Sequence, residues 1–478
     1  MTSTRVHEGL TSALEANRPG SGTPHVVVAL PSYSLAESLL EHYATRLPAL
    51  EHRYLLALPL LARIPECELV LVCSRAPEPE VVEYYVSLLP ADTRTGVRDR
   101  FHVLDVDDPT ARGVAAKLLD RPDLVDQLRT LVAGRPVVIE PWNVTAVEVA
   151  VAEALGMPLD GTPPELWPLG FKSAGRRLLR DAGVPVAEGV EDVRTVDDVL
   201  AAVDAVLARS QGCTAVVVKT DDSASGDGNR VLRFGGAGAV DLRSALEALP
   251  EWYLDDLAAG GVVEELVRGE PFSSPSVQVD LHPDGAAVVL ATHEQVLGGE
   301  DDQVYLGCRF PADDEYAAEL GAHGRAAGER LAALGARGRI GVDFAVGREP
   351  GGGHRTCALE INLRKGGTTH PYAALRNLVP GHYDVERARW VVDRDGSHRF
   401  YEATDNLIDP AWLSRAPGEV IGTVRSAGLE FDQETGTGVV LHMLSCLAVD
   451  GRMGLTAFGS TRAHAAHLRA AAEEVLRA

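Results

Sequence analysis

Four polar residues on two neighbouring segments carry the strongest chemical signal in this chain. In residues 340–346, alternation puts Val342, Phe344 and Val346 on one face and Gly341, Asp343 and Ala345 on the other. In residues 358–364, Leu359, Ile361 and Leu363 share one face, while Glu360, Asn362 and Arg364 share the other. The glycine-rich stretch between the segments predicts a hairpin. The apolar faces then share a core, and Asp343, Glu360, Asn362 and Arg364 look into one groove. Two carboxylates and an amide oxygen are hard ligands that suit Mg²⁺ when phosphate oxygens complete its octahedron. A guanidinium beside them can stabilise charge on a transferring phosphoryl group. Gly341 and Ala345 leave room for a ligand. A solvated sheet face carrying the same residues is the alternative.

Two further segments fit the same chemistry. The Val-rich run 215–219 ends in Lys219 and leads into a loop of small residues. Backbone N–H groups of Ser225, Gly226 and Gly228 can point at an anion there. Lys219 would supply a point charge. A plain hairpin turn is the competing reading, and the loop lacks the Walker A spacing. The apolar run 261–267 contains Glu264 and Glu265 and offers backbone near Val267 to an adenine ring. Its competing reading is a strand that simply enters a turn.

These residues need a frame. A chain of 478 residues divides into roughly three packed units at ordinary domain size. Apolar strands alternate with Ala-, Leu- and Arg-containing helices, which is the pattern of an α/β protein. Runs 25–30, 68–73, 101–106 and 136–140 predict parallel strands of a doubly wound sheet. No G-x-G-x-x-G follows the first of them, which disfavours a Rossmann dehydrogenase. Beyond Lys172 the pattern predicts a helix stopped at Gly183, a helix over 195–209, and strands over 215–219 and 230–234. Strands then dominate to about residue 390, broken by one Ala-rich helix over 316–334. The last stretch predicts a hairpin over 436–450, with Gly451 in the turn, and a terminal helix over 462–477.

The net charge of −24 repels phosphate backbones and anionic lipids, so neither nucleic acid nor membrane is an expected partner. The six cysteines show no metal-binding spacing and read as reduced thiols. With no apolar leader and no membrane-length apolar run, a cytoplasmic location is expected. A homodimer is the default oligomer.

In this order, over about residues 25–390, the elements resemble the ATP-grasp superfamily. That resemblance implies a doubly wound N-terminal domain over 1–165 and an ATP-grasp domain over 166–390. The latter would have subdomains of about 166–260 and 261–390, followed by a small C-terminal module over 391–478. Lys172 resembles the first phosphate-binding lysine, Lys219 the second, and Ser223 to Gly228 the mobile glycine loop. Glu264, Glu265 and Val267 resemble the adenine hinge, with Glu270 at the ribose. Asp343, Glu360 and Asn362 resemble the magnesium ligands, where Mn²⁺ can substitute, and Arg364 resembles the catalytic arginine. The 360–371 segment, the 274–278 segment and the 451–456 segment are most similar to the peptide ligases of pheganomycin biosynthesis and their actinobacterial relatives. The implied activity is ATP-dependent amide formation between an amino-acid-like carboxylate and an amine of an amino acid or peptide. It would pass through an acyl phosphate, release ADP and phosphate, and serve secondary metabolism such as antibiotic biosynthesis. The loop bearing Lys365, Gly366, Thr368, Thr369 and His370 would bind the carboxylate substrate, with Gln278, Glu294 and Gln295 lining the same cavity. Two other readings stand beside it. One is a dipeptide or γ-glutamyl-amide ligase of the same superfamily. The other is a non-catalytic nucleotide-binding regulator, against which the full set of metal ligands and Arg364 argues.

Overall fold

The computed structural model describes residues 7–34, 37–210, 212–223, 228–234, 242–298, 304–349 and 351–478. Ser225 and Gly226 lie outside the described residues. Among the described residues, three sheets organise the chain.

The first contains β1 (His25–Leu30), β2 (Cys67–Cys73), β3 (Phe101–Asp105) and β4 (Val137–Pro141), all parallel, in the order β3-β2-β1-β4. Every residue of β1 is buried, as a strand covered by helices on both faces must be. The strand order reverses between β1 and β4. In open α/β sheets the carboxyl ends at such a switch point form a natural ligand crevice. Thr145 caps the helix after β4 (Ala146–Leu155), and Glu148 reciprocates, which fixes the turn on that side of the crevice.

The second sheet is antiparallel: β5 (Gly189–Glu191), β6 (Ala215–Thr220), β7 (Asn229–Arg233) and β8 (Gly261–Glu265), in the order β5-β8-β6-β7. One face packs Val216, Val218 and Val263 against Val199, Val203 and Leu257 of two helices, Val196–Arg209 and Glu251–Ala259. Alternation puts Lys219 and Glu264 on the other face, because Lys219 stands opposite Val262 and Val217 opposite Glu264.

The third sheet has eleven strands. They are β9 (Phe272–Ser273), β10 (Pro275–Leu281), β11 (Ala287–Gly298), β12 (Val304–Phe310), β13 (Gly338–Arg348), β14 (His354–Asn362), β15 (Gly381–Asp384), β16 (Arg389–Val392), β17 (His398–Ile408), β18 (Gly438–His442) and β19 (Arg452–Gly459). The main path runs β14-β13-β10-β11-β12-β17-β16-β15. Beyond residue 390 the chain extends this same sheet, with β17 beside β12 and β19 beside β17. The Ala317–Ala333 helix covers one face, packing Leu320 and Leu331 on Val277, Val342 and Phe344. Its closest approach is at Gly324, where a Cβ would lie 2.5 Å from a Val277 methyl; only a bare α-carbon fits there.

Three expectations change. The β13–β14 hairpin forms, but its register slips between Asp343/Glu360 and Phe344/Ala358, leaving Leu359 as the extra residue of a bulge. Leu359 therefore leaves the main core and packs beside Ala187, Val267, Ala345 and Cys357, and Ala345 is buried there instead of lining an open groove. Thr369 and His370 do not continue a loop: Thr369–Leu378 is a helix with Pro371 in its first turn, where a missing N–H costs nothing. The C-terminal hairpin pairs β18 with β19, so its return strand begins after Gly451, and the connection holds two short helical turns.

Candidate active site

The first wall of the site is the polar face of the large sheet. Asp343 sits directly opposite Glu360, and Gly341 opposite Asn362. The Asn362 amide donates to Asp343 at 2.9 Å and to Glu360 at 3.3 Å. From β11, across the intervening β10, Gln295 donates to the other oxygen of Asp343 at 3.1 Å. Ser276, paired with Asp343 on β10, is buried and its hydroxyl has no partner among the described residues. The sequence reading did not select Ser276; strand alternation with Gln278 was the signal that could have found it.

The second wall belongs to the Lys172–Asp181 helix and the small sheet. Asp221, just past β6, accepts from the Ser173 N–H at 2.8 Å, and its carbonyl accepts from the Lys172 N–H at 3.2 Å. This tie stands in for a cap and brings the helix start to the edge of the glycine loop. The Lys172 ammonium then donates to Glu360 at 2.6 Å and to the Ser223 carbonyl at 3.2 Å. Lys219 pairs with Glu264, whose other oxygen lies 2.5 Å from Arg176. Gly228 follows the loop with no room for a side chain, since a Cβ would strike Thr220 and Ser223.

The electrostatics follow from this packing. Burial opposes charge on Glu360, but Lys172 and Lys219 overcome it and hold its carboxyl far below the usual range. Burial and the negative Glu360 push the Asp343 carboxyl up, above the usual range. Two facing carboxylates with an amide beside them thus favour a bound cation, and the donor set fits Mg²⁺. Asn362 presents its nitrogen to the acids here; rotating the amide by half a turn presents its oxygen instead. Among the described residues no group of three or more His, Cys, Asp or Glu side chains forms a metal cluster by itself. Such a site is incomplete until phosphate oxygens join it.

Other predicted residues fall into place or out of it. Arg364 is half-buried, and among the described residues its guanidinium donates only to the Lys365 carbonyl, at 3.1 Å. Gln278 donates to the Thr368 carbonyl at 2.9 Å and accepts from the Thr369 hydroxyl at 3.2 Å, so it pins the segment after Arg364. Gly367 lies against the Tyr305 ring, where a Cβ would approach to 2.5 Å. Gly366 has open space around it. Glu294 does not share Gln295's cavity. It neighbours Gln295 on one strand, faces the other way, and accepts from Tyr316 at 2.5 Å and from the Asp313 N–H at 3.1 Å. Glu265 likewise faces away from Glu264, meeting Arg355 and the Ser210 hydroxyl, which is 2.5 Å distant. Its N–H and that of Leu266 already bond to Glu188 and Ala215, while the Val267 N–H meets no acceptor among the described residues. Glu270 is exposed.

Known proteins resemble this chain in sequence and in fold. A family model described as the PGM1 C-terminal domain matches residues 419–472. An L-propargylglycine–L-glutamate ligase of Streptantibioticus cattleyicolor is 32% identical over 420 residues, covering 83% of this chain and 83% of that one. The biotin carboxylase domain of Hydrogenobacter thermophilus 2-oxoglutarate carboxylase, solved with MgADP, ADP and bicarbonate, superposes with a TM-score of 0.55 at 14% identity over 94% of this chain and 89% of that one. The ADP complex of purK, an N5-carboxyaminoimidazole ribonucleotide synthetase, gives a TM-score of 0.51 at 13% identity over 95% and 97%. These solved structures share the mixed α/β fold with this chain. The chain belongs to the ATP-grasp superfamily of carboxylate–amine ligases, enzymes that form C–N bonds.

Proposed function

We propose that this chain uses ATP to activate the carboxylate of an amino-acid-like substrate and joins it to the amine of an amino acid or peptide. The observation that carries the reading is the convergence of Lys172 and Lys219 from one wall onto Glu360 and its partners Asp343 and Asn362 on the other. Phosphate oxygens entering this groove displace the lysines from the carboxylates and take the two ammonium groups themselves. Asp343, Glu360 and Asn362 would hold Mg²⁺, or Mn²⁺ in its place, and a cation bound there would neutralise phosphate charge. Adenine lies along the backbone at Glu265 to Val267, where the free Val267 N–H offers a donor. Glu264 acts through Lys219 and Arg176, and exposed Glu270 is the candidate for the ribose.

The substrate carboxylate attacks the terminal phosphorus, giving an acyl phosphate and ADP. The amine then displaces phosphate. Arg364 stands at the end of β14 to stabilise the transferring phosphoryl group and then the tetrahedral oxyanion. Positioning supplies most of the rate, since phosphoryl transfer asks little covalent chemistry of the protein. Ser223 and Gly228, with Ser225 and Gly226 between them in sequence, are the residues we assign to excluding water from the acyl phosphate.

The named relative joins L-propargylglycine to L-glutamate, which favours a small amino-acid or γ-glutamyl-amide ligase as the second form of this reading. Secondary metabolism is the setting either form implies. Incubation with ATP, Mg²⁺, and a panel of amino-acid carboxylates and amines tests both. ADP and phosphate released in step with amide support the proposal; ATP consumption without amide across the panel counts against it.

A further inference from the structure

The segment after Arg364 faces the switch-point crevice of the N-terminal sheet. The Lys365 N–H donates to the Trp142 carbonyl at 3.0 Å, and its ammonium lies 3.3 Å from Glu140 at the end of β4. That ammonium also stands 5.0 Å from the centre of the Tyr54 ring. His370 stacks on Trp142 with ring centres 5.3 Å apart, and meets the Tyr54 ring edge-on at 5.6 Å.

Tyr54 and His370 are each 5% exposed, yet the Tyr54 hydroxyl and the His370 Nε2 have no hydrogen-bond partner among the described residues. A buried polar atom left unpaired costs about 1–3 kcal/mol, so two on rings in contact with each other point to a partner that arrives there. Neighbouring Arg53 shows the contrast. It is bonded to Asp405 at 2.7 Å and Tyr33 at 2.8 Å, and serves as a pedestal. The contact from Lys365 to Glu140 is long for a charge-assisted bond, which closes to about 2.7–2.9 Å. The corner therefore offers a hydroxyl, an imidazole nitrogen and a loosely paired ammonium, with Glu140 as its acid. That is a receptor for a carboxylate, with an acid in reach of an adjoining ammonium.

We propose that Tyr54, Lys365 and His370 bind the non-reacting carboxylate of a dicarboxylic amino acid, while its other carboxylate lies at Arg364 for activation. This assignment rests on the ligase reading and adds the N-terminal sheet's contribution to specificity. Tyr54 touches substrate without touching ATP, and its hydroxyl supports nothing in the protein.

The test is calorimetry on the whole chain with Mg-ADP present and L-glutamate, L-aspartate and L-norvaline as probes. At least one dicarboxylate binds, and L-norvaline binds at least about tenfold more weakly, the worth of one hydrogen bond to a charged group. Tyr54→Phe keeps or raises the melting temperature, since it removes an unpaired buried hydroxyl, and keeps the ADP affinity, but loses about tenfold in dicarboxylate affinity; Lys365→Met loses at least as much. The proposal is overturned if neither dicarboxylate binds, if L-norvaline binds as well, or if Tyr54→Phe binds the dicarboxylate as tightly as wild type. Dicarboxylate binding without ADP formation from ATP under any pairing would retain this pocket and remove the ligase reading. Amide formation from monocarboxylates alone would do the reverse.

Discussion

The Lys172 ammonium stands 2.6 Å from Glu360, joining the first turn of a helix on one wall to a strand of the sheet opposite. Under the proposed function this contact holds the place of a phosphate. The lysine is one-tenth exposed and already ordered by Asp221, so it needs no rearrangement to receive an anion. Lys172→Met is expected to raise the KM for ATP and lower kcat by on the order of 100-fold. Steady-state kinetics with ATP as the varied substrate check this; unchanged kcat/KM would remove Lys172 from the site.

Glu264 is buried between Lys219 and Arg176, with a side chain 2% exposed. Replacing it by Gln leaves two buried cations facing a neutral amide, a loss of about 3 kcal/mol. Glu264→Gln is expected to lower the melting temperature by several degrees and to weaken ATP binding through a misplaced Lys219. A melting temperature within one degree of wild type would contradict the account of this pair.

His293 is wholly buried, 2.6 Å from the Tyr401 hydroxyl, and burial lowers its pKa to about 3. Free histidine titrates near 6.5, so the unfolded chain binds a proton in this window that the folded chain does not. Stability present above pH 6.5 is therefore lost as pH falls towards 3, at about 1.4 kcal/mol for each pH unit. Urea titrations between pH 7 and 4 are expected to show a shallower pH dependence for His293→Gln than for wild type. Parallel curves would contradict the neutral buried imidazole.

Much of the site was legible because strand alternation is a strict geometric rule. It placed Asp343, Glu360 and Asn362 on one face, and the structure keeps them there. The same rule, carried through, separates Glu294 from Gln295 and Glu264 from Glu265, since neighbours on a strand cannot share a face. The bulge at Leu359 was not legible: it answers to the packing of Ala345 and Cys357, which belongs to the whole sheet. Nor was the helix opening at Thr369. A proline in a first turn and a proline in a loop look alike in sequence, and only the packing of Tyr372 and Leu375 decides between them. Tyr54 and Trp142 were invisible as site residues because they lie over 200 residues before His370 and meet it only through the fold.

Glu360 is the residue on which Lys172, Asn362 and Asp343 all converge, and the one the proposed function makes a metal ligand. Glu360→Gln keeps its size and removes its charge. Turnover is expected to fall by at least about 100-fold while the secondary structure stays that of wild type. Circular dichroism beside the rate assay separates the two effects. An unaffected rate would withdraw the metal assignment.

The central claim is that the carboxylate passes through an acyl phosphate, and isotope transfer tests it most directly. The carboxylate substrate is supplied with both carboxyl oxygens as ¹⁸O, together with ATP, Mg²⁺ and the amine. The account predicts ADP, amide, and inorganic phosphate carrying one ¹⁸O per turnover. Label appearing in AMP, with pyrophosphate released, would contradict it.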